Sequence, residues 1–277
     1  MATKFGFYDK CLFHTTVEST DWDEETRRWT VSTDRGDAMR ARYVILANGI
    51  LTTPKLARID GMETFKGDSF HTSRWRYDVD LEGKTVGIIG TGATAVQAVP
   101  ELAKVVGELY VFQRTPSSID VRDQRVTASQ EIEDWKEEPG WARARRKRFS
   151  KISAGRSAIQ ANDDYLAGKV EHFKERKEHA RKLTPEEMVE KQLDSNFRIM
   201  EQIRARVDAI VEDPKTAEAL KPYYPYGCKR PTFHDEYLPT FNLPHVHLVD
   251  TAPIGVTNIN ENGVMHQNEE YPLDVLI

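Results

Sequence analysis

An α/β fold, with a parallel sheet wound against helices, is what this 277-residue sequence predicts. Three observations predict it. The apolar run Thr85–Ile89 leads directly into Gly90-Thr91-Gly92-Ala93-Thr94-Ala95, then a helix-like segment from Val96 to Val106 and a second apolar run, Leu109–Phe112. Upstream, residues 11–47 carry short strand-like alternations separated by polar turns. Downstream, residues 125–215 are charged, with apolar residues recurring at steps of three and four, the signature of helices with one buried face.

A strand, a glycine turn, a helix and a second strand within about thirty residues make a Rossmann-like, dinucleotide-binding βαβ unit. Gly90 lets the chain turn off the strand, Gly92 leaves the backbone bare for a pyrophosphate, and the small Ala95 lets helix and strand pack closely. The phosphates then meet the helix N-terminus, where unpaired N–H groups and the dipole favour negative charge. At the end of the second strand, an NAD-specific unit places Asp or Glu to hold the ribose 2′-hydroxyl. Gln113-Arg114-Thr115 stands there instead. Arg114 offers a planar fork for a 2′-phosphate and Thr115 a hydroxyl, so the coenzyme is read as NADPH, with Thr91, Gly92, Thr94, Gln97, Arg114 and Thr115 as contacts.

Taken in order, Leu12–Glu18, Trp29–Thr33 and Ala41–Ala47 are the predicted strands of an antiparallel meander, with turns at Asp21–Thr26 and Asp34–Asp37. The last of these reads as a buried strand leaving through Asn48-Gly49. Residues 51–84 link it to the βαβ unit. In the helical insert, Thr184-Pro185-Glu186-Glu187 is a helix start, with Thr as cap, Pro at the first helical position and Glu closing a capping box. Val189, Leu193, Phe197, Met200, Ile203, Val207 and Ile210 mark its buried face, and Pro214 is read as its stop. A dense loop, Pro222–Pro231, follows, its tyrosines 223, 224 and 226 either lining a pocket or packing the loop. Then come a strand at His245–Asp250 and a final buried run, Tyr271–Ile277. The expected organisation is a partial domain at 1–50, a linker at 51–84, the coenzyme domain at 85–252 with its insert, and a return toward the first domain at 253–277.

Hydrophobic residues make up 39% and charged residues 30%, with a net charge of −5, which excludes a general attraction to nucleic acid or anionic membranes. No apolar run approaches a membrane span. The basic cluster Arg143, Arg145, Arg146, Lys147 and Arg148 reads as a solvated helix face. Two distant cysteines, Cys11 and Cys228, lie outside any metal-ligand spacing, so no metal site is expected and a cytoplasmic location is. Cys228 beside Lys229 reads as a reactive thiol or, more simply, as a buried one.

The linker contains Phe65, Gly67, His71 and Trp75 in the pattern F-x-G-x-x-x-H-x-x-x-W. With an NADPH-type glycine turn directly after it, the sequence resembles the flavin-dependent Baeyer–Villiger monooxygenases. Trp75 favours them over the related N-hydroxylating flavin enzymes, which usually carry Tyr or Phe there. Arg76 departs from the family's common Pro or Asp. The resemblance implies FAD and NADPH as cofactors, and a ketone and O2 as substrates that give an ester or lactone. It further implies His71 in domain movement, Lys229 near the 2′-phosphate and Arg230 over the flavin as the catalytic cation. A guanidinium suits that place because negative charge develops there and Arg does not give up its proton. The meander resembles part of an FAD domain, with Val17, Ala47, Asn48 and Gly49 as flavin contacts. No FAD-type glycine turn precedes Leu12, and Tyr271–Ile277 stops mid-run, so the chain is expected to be a central piece of a longer protein. Two other readings stay open: an NADP(H)-binding fragment without flavin or turnover, and an N-hydroxylating monooxygenase.

Overall fold

The computed structural model describes residues 2–49, 54–137, 139–153 and 184–277. It divides into two compact units, Met1–Pro54 and Lys55–Ile277.

In the first unit, β1 (Val17–Asp23), β2 (Arg28–Thr33) and β3 (Ala38–Ala41) form an antiparallel meander. Two expectations move. The first strand begins at Val17 and runs through the predicted turn, because Trp22 pairs with Trp29 across the hairpin, ring centroids 5.3 Å apart. Leu12 and Phe13 lie outside it, exposed. The third strand ends where the apolar run begins. Ile45 and Leu46 are exposed, at 88% and 76%, because no strand among the described residues pairs with them.

The second unit is built on a parallel five-stranded sheet in the order β4-β13-β5-β6-β9. Its strands are β4 (Asp68–Ser69), β5 (Thr85–Ile89), β6 (Glu108–Gln113), β9 (Val246–Asp250) and β13 (Val275–Leu276). Between β5 and β6 runs α1 (Ala93–Leu102). Alternation within the strands sorts residues to two faces. Val86, Ile88, Leu109 and Val111 join Val96, Val99 and Leu102 of α1 in the main core. On the other face, Phe112, Val249 and Leu276 pack with Ile59, Ile259, Val264 and Leu273. That face carries a second antiparallel meander, β10 (Asn258–Ile259), β11 (Gly263–His266) and β12 (Glu269–Pro272). A parallel sheet covered on both faces is the α/β architecture expected.

The ending differs from expectation. Residues 253–277 do not leave this unit: they supply the second meander and then β13, hydrogen-bonded between β4 and β5. The predicted linker likewise supplies the edge strand β4.

The insert is helical where it is described: α2 (Ser129–Glu137), α3 (Trp141–Ser153), α4 (Pro185–Ile210) and α5 (Pro214–Leu220). Residues 154–183 of the predicted insert lie outside the described residues. Thr184 caps α4 with both bonds of the capping box in place. Its apolar stripe is buried only from Ile199 onward, at Ile199, Met200, Ile203 and Val207, while Val189, Leu193 and Phe197 are exposed. Pro214 is not a stop but the first residue of α5, whose cap Asp213 accepts from Thr216 N–H at 2.7 Å. A short parallel pair, β7 (Ile119–Asp120) and β8 (Thr232–Phe233), and the turn of helix α6 (Tyr237–Thr240) complete the unit. No helix among the described residues is long and apolar enough to cross a membrane.

Candidate coenzyme site

The site forms where β5, β6 and β9 end, at the carboxyl edge of the sheet, the place where open α/β sheets bind ligands. β5 stops at Ile89, and Gly90 turns the chain at φ +107°, its N–H donating to Phe112 C=O at 2.9 Å. Gly92 caps α1 in an extended conformation, so the helix N-terminus opens directly off the turn. A Cβ built on Gly90 or Gly92 would meet no protein atom within 4 Å. The space in front of the turn is open, and the unpaired N–H groups of the first helical turn belong to it. Ala95 is buried in the core, as its role in close packing requires. Thr94 is exposed at the helix start, beside half-buried Ala93.

Two predicted contacts are occupied by the protein itself. Thr91 is buried, and its hydroxyl donates to Thr115 C=O at 2.8 Å. The Gln97 amide donates to Ala93 C=O at 2.8 Å. Ser117 Oγ donates to the Thr91 carbonyl, so the glycine turn is tied to the stretch after β6.

A cavity of about 350 Å³ lies against this turn. It is lined by Gly90, Thr91, Gly92, Arg114, Thr115 and Lys229, together with Ala57, Ile59, Ile89, Phe112, Thr251, Ile254, Gly255 and Val256. Two cations and no carboxylate stand among these lining residues. Lys229 is half-buried, donates to Thr115 C=O at 3.1 Å and lies 5.5 Å from the Tyr224 ring centroid. Burial and the neighbouring Arg114 charge hold its ammonium below the ordinary lysine range. A bare backbone, a helix N-terminus and two cations with no carboxylate beside them among the described lining residues suit a phosphorylated dinucleotide. A larger open cleft, about 840 Å³, mixes both signs of charge, with Arg204, Lys215 and Lys221 beside Glu201, Asp208, Glu218 and Asp250; Lys221 pairs with Asp208 and Glu218, and Arg204 with Glu201.

The other predicted residues are placed differently. Arg230 is exposed and does not line the cavity. Val17, Ala47, Asn48 and Gly49 belong to the first unit, all exposed, the last three in a stretch without regular structure. Cys228 is exposed, not buried.

The Phe65–Trp75 motif folds inward. Gly67 sits where any Cβ would collide with the Asp274 carbonyl and the Phe65 ring. Asp68 and Ser69 form β4, Trp75 meets Phe70 edge to face at 5.1 Å, and both rings pack on the main core. His71 Nδ1 accepts from Ser73 N–H at 3.1 Å and caps the tight turn Thr72–Arg74. Arg76, directly after the motif, pairs with Asp68 inside it at 2.8 Å and with Asp78 beyond it.

Of the loop tyrosines, Tyr224 takes the packing role that the sequence left open, and two further contributors were missed. Tyr224 accepts from Ser118 N–H at 3.0 Å and donates to Pro116 C=O at 2.9 Å, so it packs the loop that presents Lys229. Thr251 is buried, and both its N–H and its hydroxyl donate to Gln113 C=O, at 2.7 and 2.9 Å. Gly255 lies against Arg114. The available signal was Thr251-Ala252-Pro253-Ile254-Gly255, a turn-rich stretch directly after a strand of the parallel sheet.

A family model described as pyridine nucleotide-disulphide oxidoreductase matches residues 10–189. Over 292 residues the chain is 45% identical to a Baeyer-Villiger monooxygenase of Stachybotrys chlorohalonatus, covering all of this chain and 46% of that protein. It is 44% identical to a polycyclic ketone monooxygenase of Thermothelomyces thermophilus, covering all of this chain and 47% of the relative. A solved structure of polycyclic ketone monooxygenase from that fungus superposes with a TM-score of 0.82 at 42% identity, over 99% of this chain and 48% of the other. A steroid monooxygenase solved with NADP bound superposes at 0.73 with 29% identity, over 99% of this chain and 54% of the other. The chain spans about half the length of the curated relatives it matches.

Proposed function

This chain belongs to the pyridine nucleotide-disulphide oxidoreductase family, and on that premise we propose that it carries the NADPH site of an FAD- and NADPH-dependent monooxygenase. The whole protein inserts one oxygen atom from O2 beside a ketone carbonyl to give an ester or lactone. The observation that carries the reading is the cavity at the glycine turn, lined by Arg114 and Lys229 with no carboxylate. Its support is the likeness, along the whole chain, to proteins named for ketone and Baeyer-Villiger oxygenation.

Bound NADPH supplies a hydride, and FAD supplies the oxygen chemistry. The chain's own residues bind and orient. The α1 N-terminus and the bare backbone at Gly90 and Gly92 receive the pyrophosphate. Arg114 holds the 2′-phosphate as a fork and Lys229 holds it as a point charge. Thr91 and Ser117 keep the turn in register with the end of β6. Val17, Ala47, Asn48 and Gly49 are proposed on the flavin side. Arg230, next to Lys229, is proposed as the cation that steadies negative charge developing at the flavin.

The test is Arg230→Ala in the whole protein. Ester formation from a ketone is expected to fall at least about a hundredfold while NADP+ affinity changes less than about threefold. Ester formation at the wild-type rate would remove Arg230 from the chemistry.

A further inference from the structure

Arg114 is exposed at the end of β6, and a long flexible stem carries its planar head. A fork reads a phosphate well only if it arrives in one orientation, so something must direct the stem. The structure places one residue there.

The loop after β9 is hung from the residue preceding Arg114. Thr251 donates twice to Gln113 C=O, and Gly255 N–H closes the loop on Thr251 C=O at 2.7 Å. This brings the bare face of Gly255, at φ +92°, under the arginine. A Cβ on Gly255 would stand 3.3 Å from Arg114 Cδ, 3.7 Å from Cγ and 3.8 Å from Cβ. The stem therefore lies along a surface that only glycine leaves flat.

We propose that Gly255 is a positioning residue that sets the direction of the Arg114 guanidinium, and through it the preference for a 2′-phosphorylated coenzyme. This rests on the reading of Arg114 as the 2′-phosphate group. A side chain at 255 displaces the stem by a few tenths of an ångström at Cδ, and the lever of the stem enlarges that at the head. Lys229, a point charge that does not need a fixed plane, is affected less.

The experiment measures NADP+ and NAD+ dissociation constants in the whole protein by calorimetry. Gly255→Ala is expected to weaken NADP+ about tenfold and to leave NAD+ within about twofold, the scale of one charge-assisted hydrogen bond. Because alanine is strained at positive φ, Gly255→Asn serves as the second variant. Asparagine tolerates that backbone better yet still meets the arginine stem, so the same selective loss is expected. The double variant Arg114→Ala/Gly255→Ala is expected to bind NADP+ no more weakly than Arg114→Ala alone. Equal losses for both coenzymes, or additive losses in the double variant, would overturn the role of Gly255 while leaving that of Arg114 standing. An Arg114→Ala protein that keeps its NADP+ preference would overturn both.

Discussion

Two motifs of this chain are marked by glycine, and they use it in opposite ways. At the turn after β5, Gly90 and Gly92 face open space, with no protein atom within 4 Å of where a Cβ would stand. In the Phe65–Trp75 segment, Gly67 faces a crowd: the Asp274 carbonyl and the Phe65 ring occupy the place of its missing side chain. The first absence leaves room for a ligand and the second admits the protein's own backbone. A sequence signature can thus mark a binding surface or a packing constraint, and only the surroundings of the missing Cβ tell them apart.

The contrast can be broken by substitution. Gly67→Ala should have the largest effect, on folding: overpacking against a backbone carbonyl costs about 3 kcal/mol. The melting midpoint should drop by roughly 5–10 °C. An unchanged midpoint would mean that the edge strand β4 shifts freely. Gly92→Ala should do the reverse. Thermal stability should move by about 0.5 kcal/mol or less, since the Cβ enters empty space. NADP+ affinity should fall about thirtyfold, or about 2 kcal/mol, because the backbone can no longer approach the pyrophosphate. A large stability loss without a binding loss would place Gly92 with Gly67.

The smallest effect expected is one of pH. Lys229 loses its proton below the ordinary lysine range, because burial and Arg114 disfavour its charge. A bound phosphate favours the charged form, so the lysine pKa is higher in the complex than in the free protein. NADP+ affinity is therefore full below the free-protein value and declines as pH rises through it toward the value in the complex. Titrations on the alkaline side of neutrality, below the ordinary lysine range, should show a several-fold decline. Lys229→Met should flatten the curve, and a slope that survives in that variant would assign the titration to another group.

Much of the coenzyme site could be read from sequence because its cues are local. β5 matches its predicted span, and β6, β9 and the Thr184–Glu187 capping box fall within a residue of theirs. What was missed depends on distant partners. An apolar run announces burial but not which sheet receives it, so Tyr271–Ile277 was expected in another domain, whereas β13 lies beside β5. The same kind of run at Val44–Ala47 finds no pairing strand among the described residues and stays irregular. The apolar periodicity of α4 gives a face but not the length over which it is covered, and Val189, Leu193 and Phe197 are left exposed. Nothing local to Gly255 shows that it meets Arg114, because that contact exists only once β6 and β9 are paired.

The central claim is that two cations without a carboxylate select a phosphorylated coenzyme at the glycine turn. Its most direct test is a side-by-side titration of the folded whole protein with NADP+ and NAD+, repeated with Arg114→Ala. The account predicts that NADP+ binds at least about tenfold more tightly and that the substitution removes most of that margin while NAD+ is unaffected. Equal affinity for the two coenzymes in the wild-type protein would contradict it.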